Sequence, residues 1–264
     1  MASPTSVSLP PWPPAAGLTT INCPLDKTVF TINASTHIDA PAFLVWNTLR
    51  NTTAFPDWNS FTPHALITSQ PFEVNLPPAE QSFLELDTAF TYTIVMDPLK
   101  LAPDGKAETT NSQEKVSDVS TPNRPSAYVP ESVITNSGSF YPDLSKVYRI
   151  AWITDGPIVQ QGLFTERFSE IIDLGEGNGC EYRTWESQGG KLAVGVKQAY
   201  ETLLQARFED WCRDLKFESE KIYSALSGGV TVQSANEADG RPPGSNAVGV
   251  GPSRKKRRFI GKLV

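Results

Sequence analysis

From residue 192 to residue 226 apolar side chains return at steps of three and four: Val196, Tyr200, Leu204, Phe208, Trp211, Leu215, Ile222 and Leu226. Glu201, Arg207, Glu209, Arg213, Lys216 and Glu220 fill the positions between. That spacing stacks one apolar stripe along a helix. No proline interrupts the run, and Gly228-Gly229 offers a left-handed stop, so the helix is expected to end there. At about 1.5 Å per residue it makes a rod of roughly 45 Å. A stripe carrying Tyr200, Phe208 and Trp211 needs a broad apolar partner, and the expectation is a curved sheet wrapped around the rod.

Elsewhere the period falls to two. Alternating stretches dense in β-branched and aromatic residues predict strands at 28–35, His64–Ser69, 83–86, 88–96, 113–120, 146–154, 163–174 and 180–187. Gly175, Gly177 and Gly179 supply the hairpin turn between the last two. After the first strand, Asp39 is positioned as an N-cap with Pro41 just inside a helix over 42–49, whose apolar face is Phe43, Val45, Trp46 and Leu49. Residues 56–61 predict a second short helical turn, stopped by Pro63. Strand, two short helices, a run of about six antiparallel strands and a long helix imply an antiparallel sheet with one covered face, packed on that helix.

The ends read differently. Residues 1–25 hold six prolines and predict a disordered or loosely draped arm, and residues 98–145 a polar, proline-punctuated insertion within which 113–120 is the strand. From Gly229 onward the chain carries a net charge of +5, leaving −11 on the rest of a protein whose total is −6. An acidic body is a poor nucleic-acid partner. Only the tail 229–264, expected to be disordered, could seek polyanions. Its run Arg254, Lys255, Lys256, Arg257 and Arg258 fits a solvated tail, a ligand for an import receptor or a contact with an anionic surface. No apolar run approaches the ~20 residues of a membrane span, and the N-terminus lacks the basic and apolar regions of a secretory signal. Three widely separated cysteines, Cys23, Cys180 and Cys212, suggest reduced thiols. The expected location is the cytoplasm or the nucleus.

Several segments carry a resemblance. Ile38-Asp39-Ala40-Pro41 with Val45-Trp46 and Leu49, the stretch Phe55-Pro56-Asp57-Trp58-Asn59-Ser60-Phe61, Gly162 through Phe168, Trp185-Glu186 with Gly189-Gly190, and the helical Phe208 to Lys216 resemble the SRPBCC (START-like, helix-grip) superfamily. Its members include polyketide cyclase/dehydratase-like proteins, and the last segment is similar to small fungal ones. The resemblance implies an α+β helix-grip domain over 26–228. A curved antiparallel sheet of about seven strands would close on the long C-terminal helix, with an apolar cavity between them that takes a hydrophobic small molecule or lipid.

Candidate chemistry is sparse. The two histidines, His37 and His64, lie in unrelated segments, and no cysteine pair has ligand spacing, so neither a metal nor a cofactor is expected. No nucleophile motif or phosphate loop is present. In the last strand Cys180, Tyr182, Thr184 and Glu186 share the less charged face, placed inward; in its neighbour Glu166, Phe168 and Glu170 lie opposite Arg167 and Ser169. Trp58, Trp152, Tyr182, Glu186, Tyr200 and Leu204 are the candidate wall of the cavity. Glu186 and Tyr182 are the candidates for acid/base work, since a carboxyl in a dry pocket can have a raised pKa. A structural ion pair for Glu186 at the sheet rim, or an anchoring role, stays open beside it. Three functions follow: a binding protein, a cyclase-like enzyme using the same cavity, and an adaptor acting through protein contacts.

Overall fold

The computed structural model describes residues 9–71 and 82–236. Its strands are β1 (Thr28–Ile38), β2 (His64–Ser69), β3 (Ala89–Ile94), β4 (Thr110–Ser120), β5 (Val147–Thr154), β6 (Phe164–Asp173) and β7 (Cys180–Gly189). The helices are α1 (Ala42–Arg50), α2 (Phe55–Trp58), α3 (Glu131–Ser137), α4 (Pro157–Gln160) and α5 (Ala193–Asn236). The strands form a single sheet in the order β1-β7-β6-β5-β4-β3-β2, with every neighbouring pair antiparallel. Its curvature is helped by register shifts in β1, β2 and β4, since an extra residue bends a strand. The shift between Val116 and Asp118 also changes the parity of β4, so Val116 and Val119 both turn to the concave side while Asp118 faces the other way.

The concave face closes on α5 as the apolar stripe requires. Leu204, Phe208, Trp211 and Leu215 are buried against Ile32, Ile150, Trp152 and Tyr182. Trp211 is the centre of this packing, edge-on to Phe55, Trp58, Phe61 and Tyr92 with ring centroids 5.6 to 6.5 Å apart. Offset and T-shaped contacts of this kind suit the quadrupoles of the rings. The helices α1 and α2 cover the end of the grip with Trp46, Leu49, Phe55 and Trp58.

Six expectations are corrected. The sheet has two covered faces. On its convex side Ala151, Phe168 and Trp185 project from β5, β6 and β7, and a second apolar cluster with Leu18, Val129, Ile134 and Phe140 seals them. Residues 9–25 are therefore no loose arm. Trp12 meets Trp185 edge-on at 5.9 Å, Trp185 Nε1 donates to Thr19 O at 2.9 Å, and Trp12 Nε1 donates to Ser139 O at 3.1 Å. Proline richness bars a segment from a sheet interior, but not from lying across one and presenting aromatic side chains. The expected insertion likewise divides: Thr110–Ser120 is an interior strand, and residues 121–146, with α3, roof the convex face. The stretch 83–86 is not a strand; Phe83 makes only an isolated bridge with Asn51.

Last, α5 runs through Gly228 and Gly229 to Asn236, so the glycines do not stop it. Asp39 does not cap α1 either: its carboxylate pairs with His37 at 2.9 Å, and Pro41 occupies the N-cap. The chain divides into two units after Leu226; of the second, Ser227–Val264, only the helical residues to Asn236 are described. The basic run at 254–258 and residues 1–8 of the arm lie outside the described residues. No helix among the described residues is long and apolar enough to cross a membrane.

Candidate functional site

A row of side chains crosses the concave face at one level: Ile32 on β1, Glu186 on β7, Arg167 on β6, Trp152 on β5 and Val116 on β4, each opposite the next in register. Two ionisable groups thus stand side by side in an otherwise apolar row. The adjacent row adds polar groups, with Gln188, Thr165, Thr154 and Glu114 between Phe30 and Phe90. Period two dictates this placement, because the alternate residues of the same strands, Glu166, Phe168 and Trp185, belong to the convex face.

Arg167 is 3% exposed. Its guanidinium carbon lies 4.1 Å from the centre of the Phe208 ring and 4.2 Å from that of Trp211, with Trp152 at 5.4 Å. Its Nε donates to Thr184 Oγ1 at 3.0 Å, and its buried Nη2 has no partner. Glu186 accepts a hydrogen bond from Gln188 Nε2 at 2.7 Å and forms no ion pair with Arg167. Glu114 accepts from Ser112 Oγ at 2.5 Å through one oxygen, while the other is buried without a partner, as are Tyr92 Oη and Gln188 Oε1. Buried polar atoms in native proteins almost always find partners, and unsatisfied ones gather both here and at Asp118, Arg149 and Glu170 on the other face.

Burial sets the electrostatics. It pushes the Glu114 carboxyl up to about 8, with the Ser112 hydrogen bond opposing and the charge of Glu186 adding to the rise. Burial raises Glu186 too, against the pull of Arg167 and of the Gln188 hydrogen bond. The hydroxyls of Tyr92 and Tyr182 are raised by burial as well. All three cysteines are free and buried, with thiols pushed up to about 11 for Cys23 and about 12 for Cys180 and Cys212, so none is a thiolate nucleophile near neutral pH.

Glu186 keeps partial exposure although Ile32, Arg167, Gln188 and Thr184 around it are buried. Where β3 and β4 approach the first half of α5, a groove of about 290 Å³ opens among Ile94, Met96, Thr110, Tyr200 and Leu203. A larger groove of about 610 Å³ lies elsewhere, lined by Asp39, Phe43, Tyr148, Glu176 and Tyr223. Its carboxylates, Asp39, Asp173 and Glu176, are exposed, and neither groove is lined by a residue of the charged row.

The predicted site residues divide among these places. Glu186, Tyr182, Trp152 and Leu204 come together on the concave side; Tyr182 is buried and its Oη lies 3.0 Å from Ser169 Oγ. Tyr200 is 44% exposed and stands in the groove. Trp58 is buried against Phe55 and Trp211. Sequence reasoning missed Arg167 and Glu114 as site residues. For Arg167 a signal was present: in β6 it shares a face with Ser169 and Ile171, opposite the set led by Phe168.

No family model matches the chain. Over 192 residues it is 29% identical to Oxopyrrolidines biosynthesis cluster protein O of Penicillium oxalicum, a match covering 69% of this chain and 83% of that protein. Solved structures similar to it include a hypothetical protein from Helicobacter pylori, with 12% identity and a TM-score of 0.48 over 83% of this chain and 99% of that one. The Zhui aromatase/cyclase from a Streptomyces species is similar at 10% identity and a TM-score of 0.46, over 73% of this chain and 94% of its own. What decides the fold is the architecture itself, an antiparallel seven-stranded sheet with β1 beside β7, two short helices after β1, and a C-terminal helix clasped by the concave face. The fold is SRPBCC-like. In this SRPBCC-like grip the charged row lies under the first half of α5, and the aromatic packing around Trp211 fills the rest.

Proposed function

We propose that this chain is a binding protein for a hydrophobic small molecule or lipid, held between the concave face of the sheet and α5. The observation that carries the reading is the pair Glu186 and Arg167, ionisable side chains set side by side in an otherwise apolar row beneath the helix. Apolar side chains surround the pair with a few polar groups converging, the composition that small-molecule sites share. Similarity to a protein of a biosynthesis cluster supports a small organic molecule as the ligand. Native mass spectrometry of the full chain taken from its source cells tests this. A noncovalent mass that leaves under denaturing conditions is expected. Clean protein that also ignores a panel of apolar fluorescent probes would overturn the reading.

A second reading, a cyclase/dehydratase-like enzyme, is favoured by one specific observation: two carboxyls face the same dry region. Glu114, pushed up to about 8, carries its proton at neutral pH and can act as an acid, while Glu186 is the candidate base. Glu114→Gln and Glu186→Gln would then stop conversion of the captured molecule while leaving it bound. Retention of turnover in both variants removes this mechanism.

A further inference from the structure

Among the described residues every buried or half-buried arginine has a carboxylate within ion-pair distance, with one exception. Arg149, wholly buried beneath the convex layer, pairs with Asp118 at 2.9 Å and has Glu170 at 3.6 Å. Arg50 pairs with Glu85 at 2.6 Å, Arg183 has Glu181 at 3.9 Å, and Arg207 pairs with Asp210. Arg167, at 3% exposure, has none. Its cross-strand neighbour Glu186 binds Gln188 instead, and Glu114 binds Ser112.

An arginine does not escape burial by losing its proton, so its charge persists and calls for compensation. The rings of Phe208 and Trp211 stabilise one face of the guanidinium through their quadrupoles. They cannot serve its in-plane N–H groups, of which Nε finds Thr184 and Nη2 finds nothing. Buried charges in proteins are paired as a rule, and the strongest pairing for a guanidinium edge is with a negatively charged oxygen. Glu114 does not provide that charge at neutral pH, because burial keeps it protonated to about 8. A ligand oxygen can.

We infer that the molecule held in the grip is an organic anion, with an apolar body against α5 and a carboxylate or enolate oxygen that pairs with Arg167. The inference rests on the binding reading above and narrows it, since an uncharged lipid or hydrocarbon would leave Arg167 uncompensated. Glu186, the cross-strand neighbour of Arg167, works the other way, because any negative charge it carries weakens the attraction.

Two probes of one shape separate the possibilities: 2-naphthoate, an anion, and 2-acetylnaphthalene, its neutral counterpart, titrated into the full chain. Naphthoate is expected to bind at least ~10-fold more tightly, the scale of one charge-assisted hydrogen bond. Arg167→Met should bring the two affinities together. Because that variant removes a group packed on two rings, Glu186→Gln serves as an independent arm against loss of folding: it keeps Arg167 and should widen the preference for the anion. Equal binding of both probes by the parent chain, or no widening in Glu186→Gln, overturns the anion assignment while leaving the grip a receptor. Failure of both probes to bind counts against the receptor itself, and the anion assignment falls with it.

Discussion

Glu114 shows how one strand position sets the response of the whole protein to pH. Its carboxyl is buried on the concave face with a single hydrogen-bond donor, Ser112, and its folded-state pKa rises from 4.5 to about 8. The folded chain thus holds this proton more tightly than the unfolded one. Its contribution to stability is whole below about pH 4.5 and is lost as the pH climbs through about 8, at up to ~1.4 kcal/mol per unit in that window. Glu114→Gln carries no ionisable group, so we expect it to exceed the parent by on the order of 2 kcal/mol near pH 8 and to match it near pH 4.5. Urea midpoints at both pH values test this, and equal shifts at the two would sink it; Glu170, raised in the same direction but on the convex side, cancels in the comparison. Gly179 makes a second case. It sits at φ +66°, and a Cβ there would run into Ile38 O, whereas Gly177 at φ +75° has open space. Gly179→Ala should cost roughly 2–3 kcal/mol and Gly177→Ala about 1 kcal/mol, because only the first adds a clash to the strain. Thermal midpoints that fall equally would show the approach to β1 to be slack. The turn glycines were legible in the sequence. For Arg167 strand parity was the one signal, because a basic residue in a strand is ordinarily a surface residue, and the packing of Phe208 and Trp211 upon it is what places this one inside.

The elements divide by where their partners lie along the chain. Strands β5, β6 and β7 and helix α5 carry their own signal, since each alternates or repeats against a broad apolar partner, and all were legible to within a few residues at their starts. The arm at residues 9–25 and the roof at 121–146 carry no period. What holds them is a small number of anchors, Trp12, Leu18, Val129, Ile134 and Phe140, that acquire meaning only once Phe168 and Trp185 are known to face outward. The arm's polar contacts are equally distant in sequence: Asn22 donates to Glu166 through its backbone N–H at 2.6 Å and its side chain at 3.0 Å, and Tyr128 Oη donates to the same carboxylate at 2.6 Å. A chain beginning at Asp26 would uncover Trp185 and leave Glu166 Oε2 without its donor. Loss of one buried tryptophan contact set typically costs ~3–5 kcal/mol, so this truncation should lower stability by at least that and raise binding of the dye ANS. Unchanged urea midpoints would mean that the arm only rests on the sheet.

At the scale of the whole molecule, the two cores share one set of strands. Arg167 and Phe168 are consecutive in β6, as are Thr184 and Trp185 in β7 and Ile150 and Ala151 in β5, and in each pair one residue faces α5 and the next the convex layer. Neither layer can open its side of these strands without loosening the backbone that positions the other. The expectation is a single cooperative transition for the residues up to Leu226, despite two separate apolar clusters. The tryptophans report on the layers separately: Trp12 and Trp185 belong to the convex side, while Trp46, Trp58, Trp152 and Trp211 belong to the concave side. Replacing Trp12 and Trp185 by phenylalanine leaves fluorescence that sees only the grip, whereas far-UV circular dichroism sees the shared strands. Coincident denaturation curves from the two signals are expected. A grip signal that persists after the strand signal has begun to fall, or the reverse, would show the layers to be independent. An anion bound at Arg167 then provides the decisive control, because a ligand that binds only the folded state at about 100 times its Kd adds ~2.7 kcal/mol to its stability. If the layers are coupled through β6, that increment must appear undiminished in the melting of the convex face, on the side of the sheet the ligand never touches.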